Sequence, residues 1–220
     1  MALRAAGATR PPARAAAAAA RRPSAMSAAA EPQKKTRVLM VCLGNICRSP
    51  TAEAVFRAAV ERAGLAGRYE VDSCGTGGGA SNWYKAGGRS YHEGDAADAR
   101  MSAAAAARGV ELTSRSRPLA PADLHEFDLI VGMDAANLAA IRRAAAHWEG
   151  AGDAPPAGWE AAKLRLATDF ARGEAWARYD SVPDPYYGGA AGFELVLDLL
   201  ADSCSGMLET LEAGAAGGEG

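Results

Sequence analysis

Apolar and polar positions along this chain alternate between a strand-like and a helix-like spacing. Thr36 to Val41 is a short apolar run, which predicts a buried strand. From Pro50 onward, Ala54, Val55, Ala58, Ala59 and Val60 recur at helical spacing. They predict a helix from about Ser49 to Ala63, with Pro50 suited to its first turn. Tyr69 to Ser73 reads as a second strand, followed by a long glycine-rich loop from Gly75 to Gly88 that carries Trp83 and Tyr84. A helix over Ala97 to Arg108, a third strand over Asp128 to Met133 and a helix over Ala135 to Ala146 come next. Glu149 to Gly158 is a Gly/Pro loop, and Lys163 to Leu166 a short fourth strand. Leu195, Val196, Leu199, Leu200, Met207 and Leu208 give Phe193 to Leu211 the spacing of a packed last helix. Strands alternating with helices imply one doubly wound α/β domain around a central four-stranded parallel sheet, with helices on both faces. In such a sheet a ligand sits at the carboxyl ends of the strands.

Composition adds a tail to that domain. The chain has 220 residues, 49% hydrophobic and 23% charged, ample for one core. Residues 1 to 30 contain Arg4, Arg10, Arg14, Arg21 and Arg22, no acidic residue, and an alanine run from Ala15 to Ala20. We therefore expect residues 1–35 to be a disordered tail, residues 36–213 the folded domain, and residues 214–220 a Gly-rich end. An Arg-rich, acid-free start resembles an organelle transit peptide, so a chloroplast location is expected, with mitochondrion or cytoplasm as alternatives. Its serines, Ser24 and Ser27, are few for that class. The chain carries 24 basic and 26 acidic residues; without the five tail arginines the balance is 19 to 26, a formal charge of −7. An acidic domain argues against nucleic acid or an anionic membrane as partner. No stretch is apolar enough to span a bilayer. His92, His125 and His147 are far apart and show no ligand spacing, so neither metal nor cofactor is implied.

The chemistry concentrates in Val41-Cys42-Leu43-Gly44-Asn45-Ile46-Cys47-Arg48-Ser49-Pro50. A loop between a strand's end and a helix's start collects unpaired backbone N–H groups pointing one way, a geometry that binds a tetrahedral oxyanion. Arg48 adds a fork of donors that matches two phosphate oxygens. The same positive field favours a Cys42 thiolate placed beneath the phosphorus it would attack. Gly44 lets the backbone approach a ligand, and Asn45 tolerates a left-handed conformation. Ser49 can donate to the thiolate and cap the helix. Leu43, Ile46 and Cys47 complete the loop. A second motif, Asp184-Pro185-Tyr186-Tyr187-Gly188, supplies a carboxylic acid held between Pro183 and Pro185. Such an acid can protonate a departing phenolate and then, ionised, take a proton from water. Tyr186 and Tyr187 offer aromatic walls. The same residues are also ordinary turn chemistry.

Together these two motifs resemble the active-site signature of the low-molecular-weight protein tyrosine phosphatases, and the likeness extends over about Thr36 to Leu211. Weaker matches are Val71-Asp72-Ser73, Arg117 before Pro118-Leu119, and Met133-Asp134-Ala135-Ala136-Asn137-Leu138. The resemblance implies a flavodoxin-like fold and hydrolysis of phosphotyrosine monoesters, in proteins or small aryl phosphates, through a cysteinyl-phosphate. Cys42 would be nucleophile, Arg48 phosphate ligand and Asp184 acid then base. It also implies that Cys47 can trap oxidised Cys42 as a disulfide; a small packing residue is the alternative. Cys74 and Cys204 read as structural. Trp83 falls where the family has an aromatic cleft wall, though it serves equally as a hydrophobic anchor for its own loop. Trp148 and Trp159 flank the Gly/Pro loop and are expected to pin it. Animal members commonly have a histidine shortly before the arginine matching Arg117; this chain has Thr113 and Ser114 there. Two other functions share parts of the pattern. Thiol-dependent arsenate reductases use the same loop but need a further cysteine pair, and residues 75 to 203 contain none. A phosphate-binding module without catalysis would need neither thiolate nor acid. Oligomeric state is not encoded legibly.

Overall fold

A computed structural model describes residues 34–186 and 189–217. The expected transit segment, apart from Lys34 and Lys35, lies outside the described residues, as does Tyr187. Four strands, β1 (Thr36–Cys42), β2 (Tyr69–Gly75), β3 (Leu129–Gly132) and β4 (Leu164–Leu166), form one parallel sheet in the order β2-β1-β3-β4. The chain leaves β1 toward β2 on one side, then crosses to β3 on the other. The carboxyl end of β1 is thus the switch point where such sheets hold ligands.

Among the described residues, six α-helices flank the sheet: α1 (Arg48–Arg62), α2 (Ala99–Ala107), α3 (Pro121–Glu126), α4 (Ala135–Gly150), α5 (Trp159–Lys163) and α6 (Ala190–Gly217). Period-two alternation in β1 divides the core. Val38, Met40 and Cys42 face a cluster built with Phe56 and Val60 of α1, Met101 of α2, and Val196, Leu200 and Met207 of α6. Leu39 and Val41 face the opposite cluster, with Leu124 of α3 and Leu138, Ile141 and Trp148 of α4. Both faces of β1 are buried, which explains its continuous apolar run rather than an alternating one. Helix α6 packs closely enough that a Cβ on Gly206 would lie 2.0 Å from the Phe170 carbonyl oxygen.

Two short helices escape the sequence pattern. Helix α3 has only six residues, too few for a period, though Pro121 at its first position and Asp123, which accepts from the Ala120 N–H at 2.8 Å, are start signals. Helix α5 fills the interval between the expected Gly/Pro loop and the expected fourth strand and takes in Lys163, so β4 begins at Leu164. Helix α2 starts two residues later than expected because Asp98 caps it, accepting from Arg100 N at 2.9 Å and Met101 N at 3.3 Å. Helix α6 runs past 213 to Gly217.

The loop after β2 is anchored by aromatic rings. Trp83 is 8% exposed and meets Trp148 edge-on at 6.2 Å and Tyr84 at 5.3 Å, while Trp148 Nε1 donates to the Tyr84 carbonyl at 2.9 Å. Gly77, at φ +92°, lies beneath Trp83; a Cβ there would be 2.3 Å from its ring. Truncating a buried tryptophan of this kind costs about 3–5 kcal/mol.

Candidate active site

The strand-to-helix loop owes its shape to where its carbonyls go. Cys42 O accepts from Thr76 N at 2.9 Å, Leu43 O from Gly78 N at 2.9 Å, and Ile46 O from Asp98 N at 2.7 Å. Gly44 O takes the Ser116 hydroxyl at 2.9 Å, and Cys47 O the Thr51 hydroxyl at 2.7 Å. Among the described residues, the N–H groups of Gly44, Ile46 and Cys47 have no backbone partner. Carbonyls drawn outward leave amides turned inward, at the positive end of α1, which is an anion cradle. Asn45 makes the turn at φ +53°, unique among the described non-glycine residues in its positive φ.

Cys42 forms the floor. It is 3% exposed, and its Sγ lies 3.2 Å from the Asn45 N–H and 3.1 Å from Ser49 Oγ. The Ser49 hydroxyl accepts from Asn45 Nδ2 at 2.9 Å and has the Cys74 carbonyl, at 3.2 Å, as its other possible acceptor. Asn45 Nδ2 also donates to Ser73 Oγ at 2.9 Å, and Asn45 Oδ1 accepts from Arg117 N at 2.9 Å. All polar atoms of the Asn45 side chain are thereby used, which fixes the amide's orientation. Arg117 is held by Asp72 and Asp123, each at 2.8 Å, and these carboxylates hold its pKa above the ordinary value despite its burial.

Arg48 is 4% exposed. Its Nη1 donates to Asp134 Oδ2 at 2.6 Å and to the Val182 carbonyl at 3.2 Å; Nη2 donates to Asp184 Oδ2 at 3.2 Å. Burial opposes its charge, but Cys42, Asp134 and Asp184 outweigh that and raise its pKa. Asp134 also caps α4, accepting from Asn137 N at 2.7 Å. The acid segment is docked where Val182 N donates to Met133 O at 2.8 Å, and Asp184 Oδ1 accepts from Tyr186 N at 3.0 Å. Burial, with the charges of Asp98, Cys42 and Asp184 adding to it, pushes the Cys47 thiol up to about 12.

These side chains open into one pocket lined by the loop, Gly78, His92, Asp184 and Tyr186. Cys42, Leu43, Gly44, Ile46, Cys47, Arg48, Asp184 and Tyr186 therefore converge, with Asn45 and Ser49 behind the floor. Trp83 is placed elsewhere, in the core against Trp148, because its large ring is worth more buried than at a rim. Among the described residues, the exposed large apolar side chains are Leu43, Tyr91 and Tyr186. Tyr91 stands near the pocket, since its Cβ would be 3.1 Å from a Cβ on Gly78. Sequence reasoning missed His92, whose Nδ1 meets Asp95 Oδ2 at 3.1 Å and whose Cδ2 would be 3.1 Å from a Cβ on Gly44. It also missed Asp134 as the partner of Arg48, a pairing across 86 residues of chain that no local spacing announces. Among the described residues, no group of three or more His, Cys, Asp or Glu is arranged to hold a metal ion.

Residues 37–216 match the model of the family described as low molecular weight phosphotyrosine protein phosphatase. The chain belongs to that family. It is similar to the low molecular weight protein-tyrosine-phosphatase of Streptomyces coelicolor, 42% identical over 78% of this chain and 91% of the relative. It is also similar to the low molecular weight phosphotyrosine protein phosphatase of Schizosaccharomyces pombe, 37% identical over 81% of this chain and 98% of the relative. The crystal structure of the Entamoeba histolytica protein tyrosine phosphatase with Hepes in the active site superimposes with a TM-score of 0.68. It is 36% identical and aligned over 82% of this chain and 99% of that one. As a member of this family the chain is a cysteine-dependent hydrolase of phosphate monoesters, with the flavodoxin-like fold of its neighbours.

Proposed function

We propose that this phosphatase hydrolyses phosphotyrosine with Cys42 as nucleophile, Arg48 and the loop amides as phosphate ligands, and Asp184 as acid and then base. The observation that carries the assignment is the convergence of Arg48 and Asp184 over a buried sulfur that faces the Asn45 N–H and the Ser49 hydroxyl. A sulfur this deep favours a phosphate on a long, flat side chain over one on serine or threonine. Leu43 and Tyr186 supply apolar surface for the ring.

In the resting site Arg48 bridges Asp134 and Asp184. A bound phosphate dianion competes for Nη2, while Asp134 retains Nη1 and keeps the fork aimed. Asp184 is then free to turn, protonated, toward the ester oxygen. Cys42 Sγ forms its bond to phosphorus as the phosphorus–oxygen bond breaks, and the tyrosine oxygen leaves with the Asp184 proton. Water then attacks the cysteinyl-phosphate, gives its proton to Asp184, and releases phosphate from a thiolate received by Ser49 and Asn45.

The test is steady-state hydrolysis of aryl phosphates. Cys42→Ser should abolish turnover, and substantial residual activity would refute the covalent route. Asp184→Ala should cost about 10²- to 10⁴-fold on phenyl phosphate and much less on p-nitrophenyl phosphate, whose leaving group needs no proton. Equal loss on both would remove Asp184 from the acid role.

A further inference from the structure

A second cavity, unused by the mechanism above, lies beside the catalytic pocket. It holds about 450 Å³ against about 180 Å³ for the catalytic pocket, which is room enough for a ligand side chain. Its walls are Ala80, Asn82, Gly87, Arg89, Ser90 and Tyr91. Tyr91 lines this cavity, and His92, the next residue, lines the catalytic one. Gly78, also in the catalytic wall, is packed against both. A Cβ there would be 3.1 Å from Tyr91 Cβ and 3.2 Å from His92 Cδ2.

Backbone bonds fix this cavity in register with the nucleophile. Gly78 N donates to the Leu43 carbonyl at 2.9 Å, and Tyr91 N to the Gly77 carbonyl at 3.3 Å, so the base of the loop is tied to the catalytic loop. Further out, Lys85 N donates to Asn82 O at 2.9 Å and Gly88 N to Lys85 O at 2.8 Å. The two ends of this turn touch, since a Cβ on Gly88 would lie 1.9 Å from Asn82 O. Trp83, inside the turn, is the ring buried against Trp148. A wall anchored in this way needs little ordering when a ligand arrives. Its chemistry is cationic: Arg89 is its charged residue, and no carboxylate lines the cavity. Among the described residues, the side chains of Arg89, Asn82 and Ser90 have no hydrogen-bond or ion-pair partner. Arg48, Arg100 and Arg117, by contrast, are each held by a carboxylate. The planar fork of an arginine matches a carboxylate. In a chain that is acidic without its tail arginines, this is a local positive site open to a negative group from outside.

We propose that this cavity is a substrate subsite: it takes an aspartate or glutamate side chain of the phosphoprotein, with Arg89 as the charge that recognises it. An extended peptide advances about 3.3–3.6 Å per residue, so the acidic residue lies within about three positions of the phosphotyrosine. The inference rests on the phosphotyrosine reading above and adds a sequence preference to it.

The experiment measures kcat/KM of the full chain on phosphotyrosine peptides. A neutral parent peptide is compared with versions that carry a single glutamate at each flanking position in turn. Wild type should favour glutamate at one position, roughly three- to tenfold over the parent, and the preference should shrink with added salt. Arg89 is exposed, so its variants should fold. Arg89→Gln should abolish the preference, and Arg89→Glu should reverse it in favour of lysine at that position. Both variants should leave kcat and KM for p-nitrophenyl phosphate, which has no flanking residue, unchanged. Lys85 is an exposed charge on the same turn but outside the cavity wall, with Nζ 5.9 Å from the Tyr84 ring centroid; Lys85→Gln should keep the preference. Equal gains from glutamate at every position, or an equal effect of Lys85→Gln, would show a diffuse field and overturn the subsite. The absence of any preference, or one that survives Arg89→Gln, would overturn it too. Turnover of p-nitrophenyl phosphate with no hydrolysis of any phosphotyrosine peptide would strike the phosphotyrosine assignment itself, and this proposal with it.

Discussion

Removal of the Ser49 hydroxyl is the most direct probe of how this site holds a negative sulfur. The side chain is fully buried, so Ser49→Ala admits no water to take its place. Two losses follow. The 3.1 Å approach to Cys42 Sγ disappears, leaving the Asn45 N–H at 3.2 Å as the remaining donor. A hydrogen bond to a charged group is worth about 1.5–3 kcal/mol, which corresponds to roughly a 10- to 150-fold smaller thiolate population. Second, Asn45 Nδ2 loses one of its two acceptors, costing about 1–3 kcal/mol of stability for an unsatisfied buried donor. The assay is alkylation of Cys42 at pH 6 beside single-turnover formation of the cysteinyl-phosphate. Both should fall by the same factor, because both draw on the thiolate, and alkylation should approach the wild-type rate at high pH. Unchanged alkylation at pH 6 would refute the reasoning, and would mean that the Ser49 proton resides on the Cys74 carbonyl, 3.2 Å away.

Two further outcomes concern the other thiols. Burial raises Cys47 and Cys204 to about 12 and holds Cys74 well above the ordinary thiol value, while in the unfolded chain they ionise near 9.0. The folded state therefore keeps protons that the unfolded state sheds. The stability they support is complete below pH 9 and falls as pH rises toward 12, by roughly 3 kcal/mol at pH 10 for Cys47 and Cys204, with Cys74 adding to the fall. Urea unfolding at pH 8 and pH 10 measures this, and Cys204→Ala should remove part of the decline; an equal decline in the variant would contradict it. We also propose that Cys47 protects Cys42 from over-oxidation. One equivalent of peroxide converts Cys42 to the sulfenic acid, which the Cys47 thiolate attacks to form the disulfide with loss of hydroxide. Because Cys47 is held protonated, disulfide formation trapped by mass spectrometry should rise about tenfold per pH unit between pH 7 and 9. A rate that is flat in pH would show that ionisation of Cys47 does not limit the step.

The sequence by itself determined the elements whose signals are local. The apolar run Val38 to Val41 in β1, the helical spacing of α1 and α6, and glycine, asparagine and proline around Cys42 are consequences of one stretch of chain meeting its own geometric preferences. The same holds for the order of strands and helices, and hence for the doubly wound sheet with its ligand end at Cys42. Asp184 was visible because its prolines lie beside it. Tertiary structure decided what depends on residues far apart in sequence. Asp134 caps α4 locally, and only the packing of β3 beside β1 brings it to Arg48. His92 looked isolated because nothing near it signals that its loop folds over Gly44. Trp83 and Tyr91 sit eight residues apart in one irregular loop, and which ring is buried was settled by the presence of Trp148 on α4, not by either residue's neighbours. Glu53 and Arg57 have the spacing of an ordinary surface ion pair. Docking α1 against β2 buries Glu53 next to Ser73, whose hydroxyl donates to it at 2.6 Å. Spacing along a chain fixes local conformation, whereas the energy of a buried charge is set by whichever distant groups the fold places around it.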